Sequence, residues 1–211
     1  MKNKRIFYLL IVMGTFGLCN INAQNMKSNR ALLIIDIQND YFEGGANPLV
    51  GTQEASLNAR KLLDYFRKDS LLVIHIQHVS FRNGSVFFLP NTKGVMIHEN
   101  VLPLIHEKVI IKSYPNSFHD TELLRYLKTN DVTDLVICGM MTHMCVDATV
   151  RAAKDFGFNC TIISDACATK NINFKEYSVS SKNVQSAFLA ALSYYYSTVQ
   201  FTDEYLNSYK K

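Results

Sequence analysis

The chain has 211 residues, 48% of them hydrophobic, and a formal net charge of +4. Lys2, Lys4 and Arg5 supply three of those charges, and no later basic run is interleaved with aromatics, so the electrostatic footprint of a nucleic-acid-binding protein is missing. A chain this long supports one domain with a full apolar core and needs no staples to fold.

The first segment is read as a processing signal rather than as structure. Met1 to Arg5 is basic, Ile6 to Cys19 is apolar and uncharged, and Asn20-Ile-Asn-Ala23 ends in a small residue. This predicts a secretory signal peptide over residues 1–23, removed after Ala23. The apolar stretch is shorter than the ~20 residues a membrane span needs. An uncleaved anchor and lipid attachment at Cys19 are the alternatives, although Leu18 is bulky for a lipoprotein site. Residues 24–211 are then one exported domain, periplasmic or secreted, with no stable membrane span and a formal charge of +1 once Lys2, Lys4 and Arg5 are gone.

Ala31-Leu-Leu-Ile-Ile-Asp36 reads as a buried strand ending in an acid. Gly44-Gly45 and Pro48 to Gly51 mark a loop, after which Thr52 is placed to cap a helix carrying Ala59, Leu62, Leu63 and Phe66 on one face. Leu71 to Ile76 is a second strand, and residues 79–105, with Pro90, Gly94 and Pro103, form a long loop. Lys108 to Ile111 is a third strand ending at Lys112, and Asp120 to Lys128 a short helix with acids in its first turn.

Leu135-Val-Ile137 is the end of a fourth strand, broken at Gly139; from Val146 the spacing turns helical through Thr149, Val150 and Ala153 to a C-cap at Gly157. Cys145 is therefore expected where a turn opens a helix, a position that lowers a thiol's pKa. Burial as a small core residue is the competing reading. Cys160 to Ile163 is a fifth strand, residues 178–196 a last helix with Val184, Ala187, Phe188 and Ala191 inward, and Ser197 to Phe201 a final strand. Apolar strands alternating with amphipathic helices give a three-layer α/β fold, a parallel sheet with helices on both faces.

Such sheets place their sites outside the carboxyl ends of the strands. Asp36, Lys112 and Cys145 all fall there. Together they form an acid to take a thiol proton, a base to hold both charges, and a nucleophile. An Asp36–Lys112 structural ion pair beside a core cysteine accounts for the same residues without chemistry. Cys138, Cys160 and Cys167 lie in or beside apolar strands and match no zinc or disulfide spacing.

Three segments resemble the signatures of the isochorismatase-like cysteine hydrolases: Asp36-Ile-Gln-Asn-Asp-Tyr-Phe42, Lys112-Ser-Tyr-Pro-Asn-Ser-Phe118 and Gly139-Met-Met-Thr-His-Met-Cys-Val-Asp-Ala-Thr149. The likeness runs from about Arg30 through Ala190. It implies a Rossmann-like, six-stranded parallel sheet, an Asp36–Lys112–Cys145 triad, a non-proline cis peptide at Met140–Met141, and an oxyanion hole from the amides of Met141 and Cys145.

The nicotinamidases of this family carry an Asp-x-His metal motif, and Glu43-Gly-Gly-Ala-Asn-Pro-Leu-Val-Gly51 has neither residue. No metal and no cofactor is therefore expected. His75 is assigned to the core, and His78, past the second strand, to the pocket. Phe42, Phe87, Phe88, Tyr114 and Phe118 are read as an aromatic lining or, equally, as core, and Gln38 and His143 as substrate contacts. The turn is most similar to the amidase and streptothricin-hydrolase-like branch. This implies cleavage of a small amide, lactam or carbamoyl C–N bond through a thioester. The alternatives are vinyl-ether hydrolysis of an acidic substrate near Arg82 and Lys93, a non-catalytic small-molecule binder, or a redox protein using Cys138 and Cys145. Tyr194, Tyr195 and Tyr196 offer a surface for a homo-oligomer.

Overall fold

Short apolar segments hydrogen-bond side by side to build the molecule's centre. The computed structural model describes residues 29–209, so the expected leader lies outside the described residues. In chain order the elements are β1 (Arg30–Ile35), α1 (Thr52–Lys68), β2 (Leu72–His78), β3 (Lys108–Lys112), α2 (Leu123–Thr129), β4 (Asp134–Met140), α3 (Asp147–Asp155), β5 (Asn159–Ala168), β6 (Ile172–Phe174), β7 (Tyr177–Val179), α4 (Ser181–Tyr195), β8 (Thr198–Gln200) and α5 (Thr202–Ser208). Six strands form one parallel sheet in the order β3-β2-β1-β4-β5-β8, and β6 and β7 make a separate hairpin.

Side chains alternate across the sheet, which is why its strands read as unbroken apolar runs. Leu32 and Ile34 face Leu62, Leu63 and Phe66 of α1 and Tyr205 of α5. Ala31, Leu33 and Ile35 face Leu123 and Leu127 of α2, Val150 of α3 and Leu192 of α4. Leu62, Leu63 and Phe66 are fully buried, each contributing about 1.5–3 kcal/mol by leaving water. The sheet grows from β1 toward β3 on one side and from β4 toward β8 on the other, so the order reverses between β1 and β4. That switch point, at the carboxyl ends, is where a parallel sheet opens a crevice.

Several boundaries differ from the sequence reading. Gly139 lies within β4 instead of ending it, at φ +135°, and a Cβ there would sit 2.0 Å from the Ile35 carbonyl oxygen of β1. It permits a close backbone approach and a register shift, not a break. Thr52 is the first residue of α1; the cap is Gly51 in the left-handed region, with no side-chain capping bond. Asp120 has φ +52° and Glu122 is the cap of α2, so neither acid lies in its first turn.

The face of α4 is rotated from the expected one: Val184 and Leu192 are buried, whereas Ala187 and Ala191 are exposed. Gln185 turns toward the sheet on this face and donates to the carbonyls of Ser164 and Cys167. The β6–β7 hairpin and α5 had no counterpart in the sequence reading. Among the described residues no helix is long and apolar enough to cross a membrane.

Candidate active site

Asp36 is the first residue past β1, at φ +51° and completely buried. Lys112 ends β3, with its stem and its ammonium both buried. Cys145 lies in a five-residue π-helical turn, Thr142–Val146, between β4 and α3. The turn is wide because the amide of Val146 donates to the Met141 carbonyl, and that of Asp147 to the Thr142 carbonyl. It follows a cis peptide bond at Met140–Met141, as the resemblance implied.

The Lys112 ammonium is the hub. It lies 2.7 Å from Asp36 Oδ2, 3.0 Å from His78 Nδ1, 3.0 Å from the Tyr114 carbonyl oxygen and 3.3 Å from Cys145 Sγ. Burial would lower its pKa, but the adjacent Asp36 carboxylate and Cys145 sulfur raise it, so the amine stays charged. Burial, reinforced by the Asp36 carboxylate and opposed by Lys112, pushes the Cys145 thiol up. The expectation of a lowered thiol pKa at a helix start is thus corrected. Cys145 stands before α3 rather than on its N-terminus, and burial beside a carboxylate outweighs the ammonium. Burial thus favours the thiol form of Cys145 at rest. All three residues are buried, with 5% of Cys145, 2% of Lys112 and none of Asp36 exposed.

His78 ends β2, and its ring completes the group; Asp36, His78 and Cys145 present ligand atoms within 4.8 Å of one another. Three such donors could in principle hold a cation. Here the Lys112 ammonium already stands against all three, and a second positive charge does not fit beside it. Burial first, and the Lys112 charge second, lower the His78 pKa to about 4, with Asp36 opposing. His78 is therefore neutral near neutral pH.

The other expected contacts divide. Gln38 is fully buried and committed: its amide donates to the carbonyls of His78 and Val95, and its Oε1 accepts from the His78 amide. It ties the end of β2 to the long loop and has nothing left for a substrate, which corrects its assignment. Tyr114 is also corrected, since its carbonyl rather than its ring reaches Lys112, and the ring lies edge-on to His119. Phe118 packs against Phe156 and Phe158 on the α2–α3 face, a core role. Phe42 stacks on His98 at 3.5 Å between ring centres. His143, in the turn itself, pairs through Nδ1 with Thr169 Oγ1 at 2.5 Å and lies near Phe188. His75 is buried, as assigned, and bonded to Glu107.

Two residues of the site were not singled out from sequence. Asp40 accepts from the amides of Ala46 and Phe88, and so pins the long loop over the strand ends. Gly94 makes room for this, because a Cβ there would collide with the Asp40 carboxylate. Tyr41 is buried against Phe87 and Phe88; burial, then Cys145 and Asp36, raise its phenol's pKa well above the usual value. The only sequence signal for either was membership of the Asp36–Phe42 segment. Cys138, Cys145, Cys160 and Cys167 are buried free thiols in the structure.

The isochorismatase domain family matches residues 30–193. Uncharacterized isochorismatase family protein YddQ of Bacillus subtilis is 48% identical over 176 residues, covering 83% of this chain and 98% of its own. Streptothricin hydrolase of Streptomyces noursei is 35% identical over 68% of this chain and 51% of its own length. Nicotinamidase of Escherichia coli is 28% identical over 68% of this chain and 84% of its own. A crystal structure of an isochorismatase from Pseudomonas putida superposes with a TM-score of 0.78 at 34% identity, over 83% of this chain and 89% of that one.

Proposed function

Because this chain belongs to the isochorismatase family of hydrolases, we propose that it cleaves a small amide, lactam or carbamoyl C–N bond through a thioester on Cys145. One observation carries the reading: an acid after β1 and a thiol in the turn after β4 both lie within hydrogen-bond range of one ammonium, that of Lys112 at the end of β3. The names of two relatives, a streptothricin hydrolase and a nicotinamidase, support C–N chemistry.

The step sequence follows from the protonation state. As Sγ attacks the carbonyl carbon, its proton passes to Asp36, and the new negative charge on oxygen is received by the amides of Met141 and Cys145. Collapse of the tetrahedral species breaks the C–N bond, and Asp36 delivers its proton to the departing nitrogen. Water, deprotonated by Asp36, then attacks the thioester, and the thiol re-forms as the acid leaves. Lys112 stays charged throughout and compensates whichever partner is anionic. Its N–H groups already face protein acceptors, which favours a neutral substrate over one bearing carboxylates.

The test is mass spectrometry of the purified protein mixed with small amides, lactams, carbamoyl compounds and a vinyl ether. The expected result is amine release with a transient acyl mass on Cys145, absent in Cys145→Ala. Cleavage confined to the vinyl ether, without an adduct, would overturn the proposal. Export is a separate proposal resting on residues 1–23; sequencing the mature N-terminus after expression decides it, with Gln24 the expected first residue.

A further inference from the structure

The Lys112 ammonium has three N–H groups and four acceptors within reach: Asp36 Oδ2, His78 Nδ1, the Tyr114 carbonyl and Cys145 Sγ. Two of these acceptors do not change during a catalytic cycle. The Tyr114 oxygen is backbone, and His78 has no charge to gain or lose. The other two exchange a proton with each other. We propose that His78 is a positioning residue: by accepting one Lys112 N–H while Tyr114 accepts a second, it leaves a single ammonium proton to alternate between Asp36 and Cys145. The proposal rests on the hydrolase reading for its purpose, although not for its geometry.

The donor count gives each state a complete set of partners. In the structure the third N–H is directed at Cys145 Sγ, 3.3 Å away, while Asp36 Oδ2, 2.7 Å from the same nitrogen, is paired by charge without a hydrogen bond of its own; with sulfur protonated, that N–H is free to turn to the carboxylate. When the thiol proton moves to Asp36, the carboxylic acid no longer needs the ammonium, and the same N–H turns to the thiolate, 3.3 Å away. No atom need travel far, and no donor is left idle in either state. An ammonium with two free N–H groups would instead hold sulfur and carboxylate at once and favour the thiolate at every stage.

The arrangement also fixes the tautomer of His78. Lysine only donates, so Nδ1 is the bare nitrogen and Nε2 carries the hydrogen. A ring kept neutral near neutral pH by burial and by the ammonium's charge is the state this role requires. Phe88, whose ring centre lies 5.7 Å from that of His78, backs the imidazole. The Gln38 amide grips the backbone of the same residue on both sides.

The test separates this role from packing and from substrate contact. Asparagine places an acceptor near the position of histidine Nδ1, whereas leucine fills the volume without one. The pH dependence of Cys145 alkylation by iodoacetamide, read by peptide mass, is compared for wild type, His78→Leu and His78→Asn, alongside turnover on any substrate found. In His78→Leu the freed N–H turns to sulfur. The alkylation midpoint should fall by about one pH unit, equivalent to tenfold in thiolate at a fixed lower pH, while kcat falls and KM changes little. His78→Asn should return both toward wild type. If His78→Leu does not fold, His78→Gln, whose amide lies nearer the Nε2 position, serves in its place. An unchanged or raised midpoint, or a failure of asparagine to restore it, overturns the proposal. A lowered midpoint in a protein that hydrolyses nothing in the panel supports the proposal and instead overturns the hydrolase reading.

Discussion

Two buried charge clusters lie side by side along β2, and their difference explains which is a scaffold and which a reaction site. His75 leads into one and His78 into the other. In the first, Glu107 receives Arg67 Nε at 2.7 Å and Arg67 Nη2 at 2.8 Å, the Leu104 amide at 2.8 Å and His75 Nε2 at 3.0 Å. Each bond to that carboxylate comes from a donor, and His75 Nδ1 is the one atom of the cluster left without a partner among the described residues. Although burial alone would raise it, these bonds, Arg67's foremost, lower the Glu107 pKa to about 2. In the second, Asp36 takes no donor from the backbone, and one ammonium is divided among four acceptors. The first cluster holds a carboxylate charged among donors; the second sets an acid and a thiol against one shared ammonium. Satisfied charge holds a fold together, and chemistry needs charge that can be shifted.

The largest effects should follow from breaking the second cluster. Cys145→Ala is expected to lower kcat/KM by at least about 10³-fold while unfolding in urea shifts by no more than ~1 kcal/mol; a large stability loss would return Cys145 to a core role. Lys112→Met is expected to cost roughly 10²-fold in kcat and to raise the Cys145 thiol further by removing the one charge that opposes its burial. Alkylation rate against pH reads the second effect, and its midpoint should move up.

Gly139→Ala comes next and joins scaffold to site. Its Cβ would meet both the nitrogen and the carbonyl of Ile35, the residue before Asp36, and φ is +135°. Neither backbone can yield, so about 3 kcal/mol of stability should be lost, with Asp36 displaced and turnover falling in the folded fraction. Stability and activity measured together would separate this from Cys145→Ala, where only activity moves.

Much of the fold was legible because buried parallel strands leave continuous apolar runs. Ala31–Ile35, Leu71–Ile76, Lys108–Ile111 and Leu135–Ile137 needed no partner to be recognised, and the first, third and fourth led to Asp36, Lys112 and Cys145. What escaped depends on contacts between distant segments. Gln185 looks like a solvent-facing residue of α4 until the carbonyls of Ser164 and Cys167 on β5 that accept from it are seen. Gln38 looks like a substrate contact for the same reason, since its three partners lie 40 and 57 residues away. The thiol's raised pKa was missed because local position predicts the helix end but not the depth of burial.

The first cluster should respond in the opposite sense, in stability and not in turnover. Glu107→Gln removes the carboxylate from Arg67 and His75 and is expected to cost about 2–4 kcal/mol with kcat unchanged. The same bond should appear in the wild type on acidification. Its folded pKa, about 2, lies below the ordinary 4.5, so the contribution is complete above pH 4.5 and is lost as pH falls toward 2. Urea midpoints across that range should show a smaller acid dependence in Glu107→Gln than in wild type. An equal dependence would mean that the pair carries no linkage.

The smallest effect isolates burial as the variable. Arg60 Nε stands 2.7 Å from Asp64 Oδ1, the same separation as Arg67 Nε from Glu107 Oε1, yet its partners are 46% and 55% exposed against 19% and 5%. Both pairs involve an arginine of α1 and a carboxylate. At equal distance and similar chemistry, the exposed pair exchanges bonds with water that are nearly as good, and salt screens what remains. Arg60→Ala should therefore shift the urea midpoint by no more than ~0.5 kcal/mol, with no acid dependence of its own. If it cost as much as Glu107→Gln, distance rather than burial would set the worth of a charge pair in this molecule, and the contrast between the two clusters along β2 would lose its physical basis.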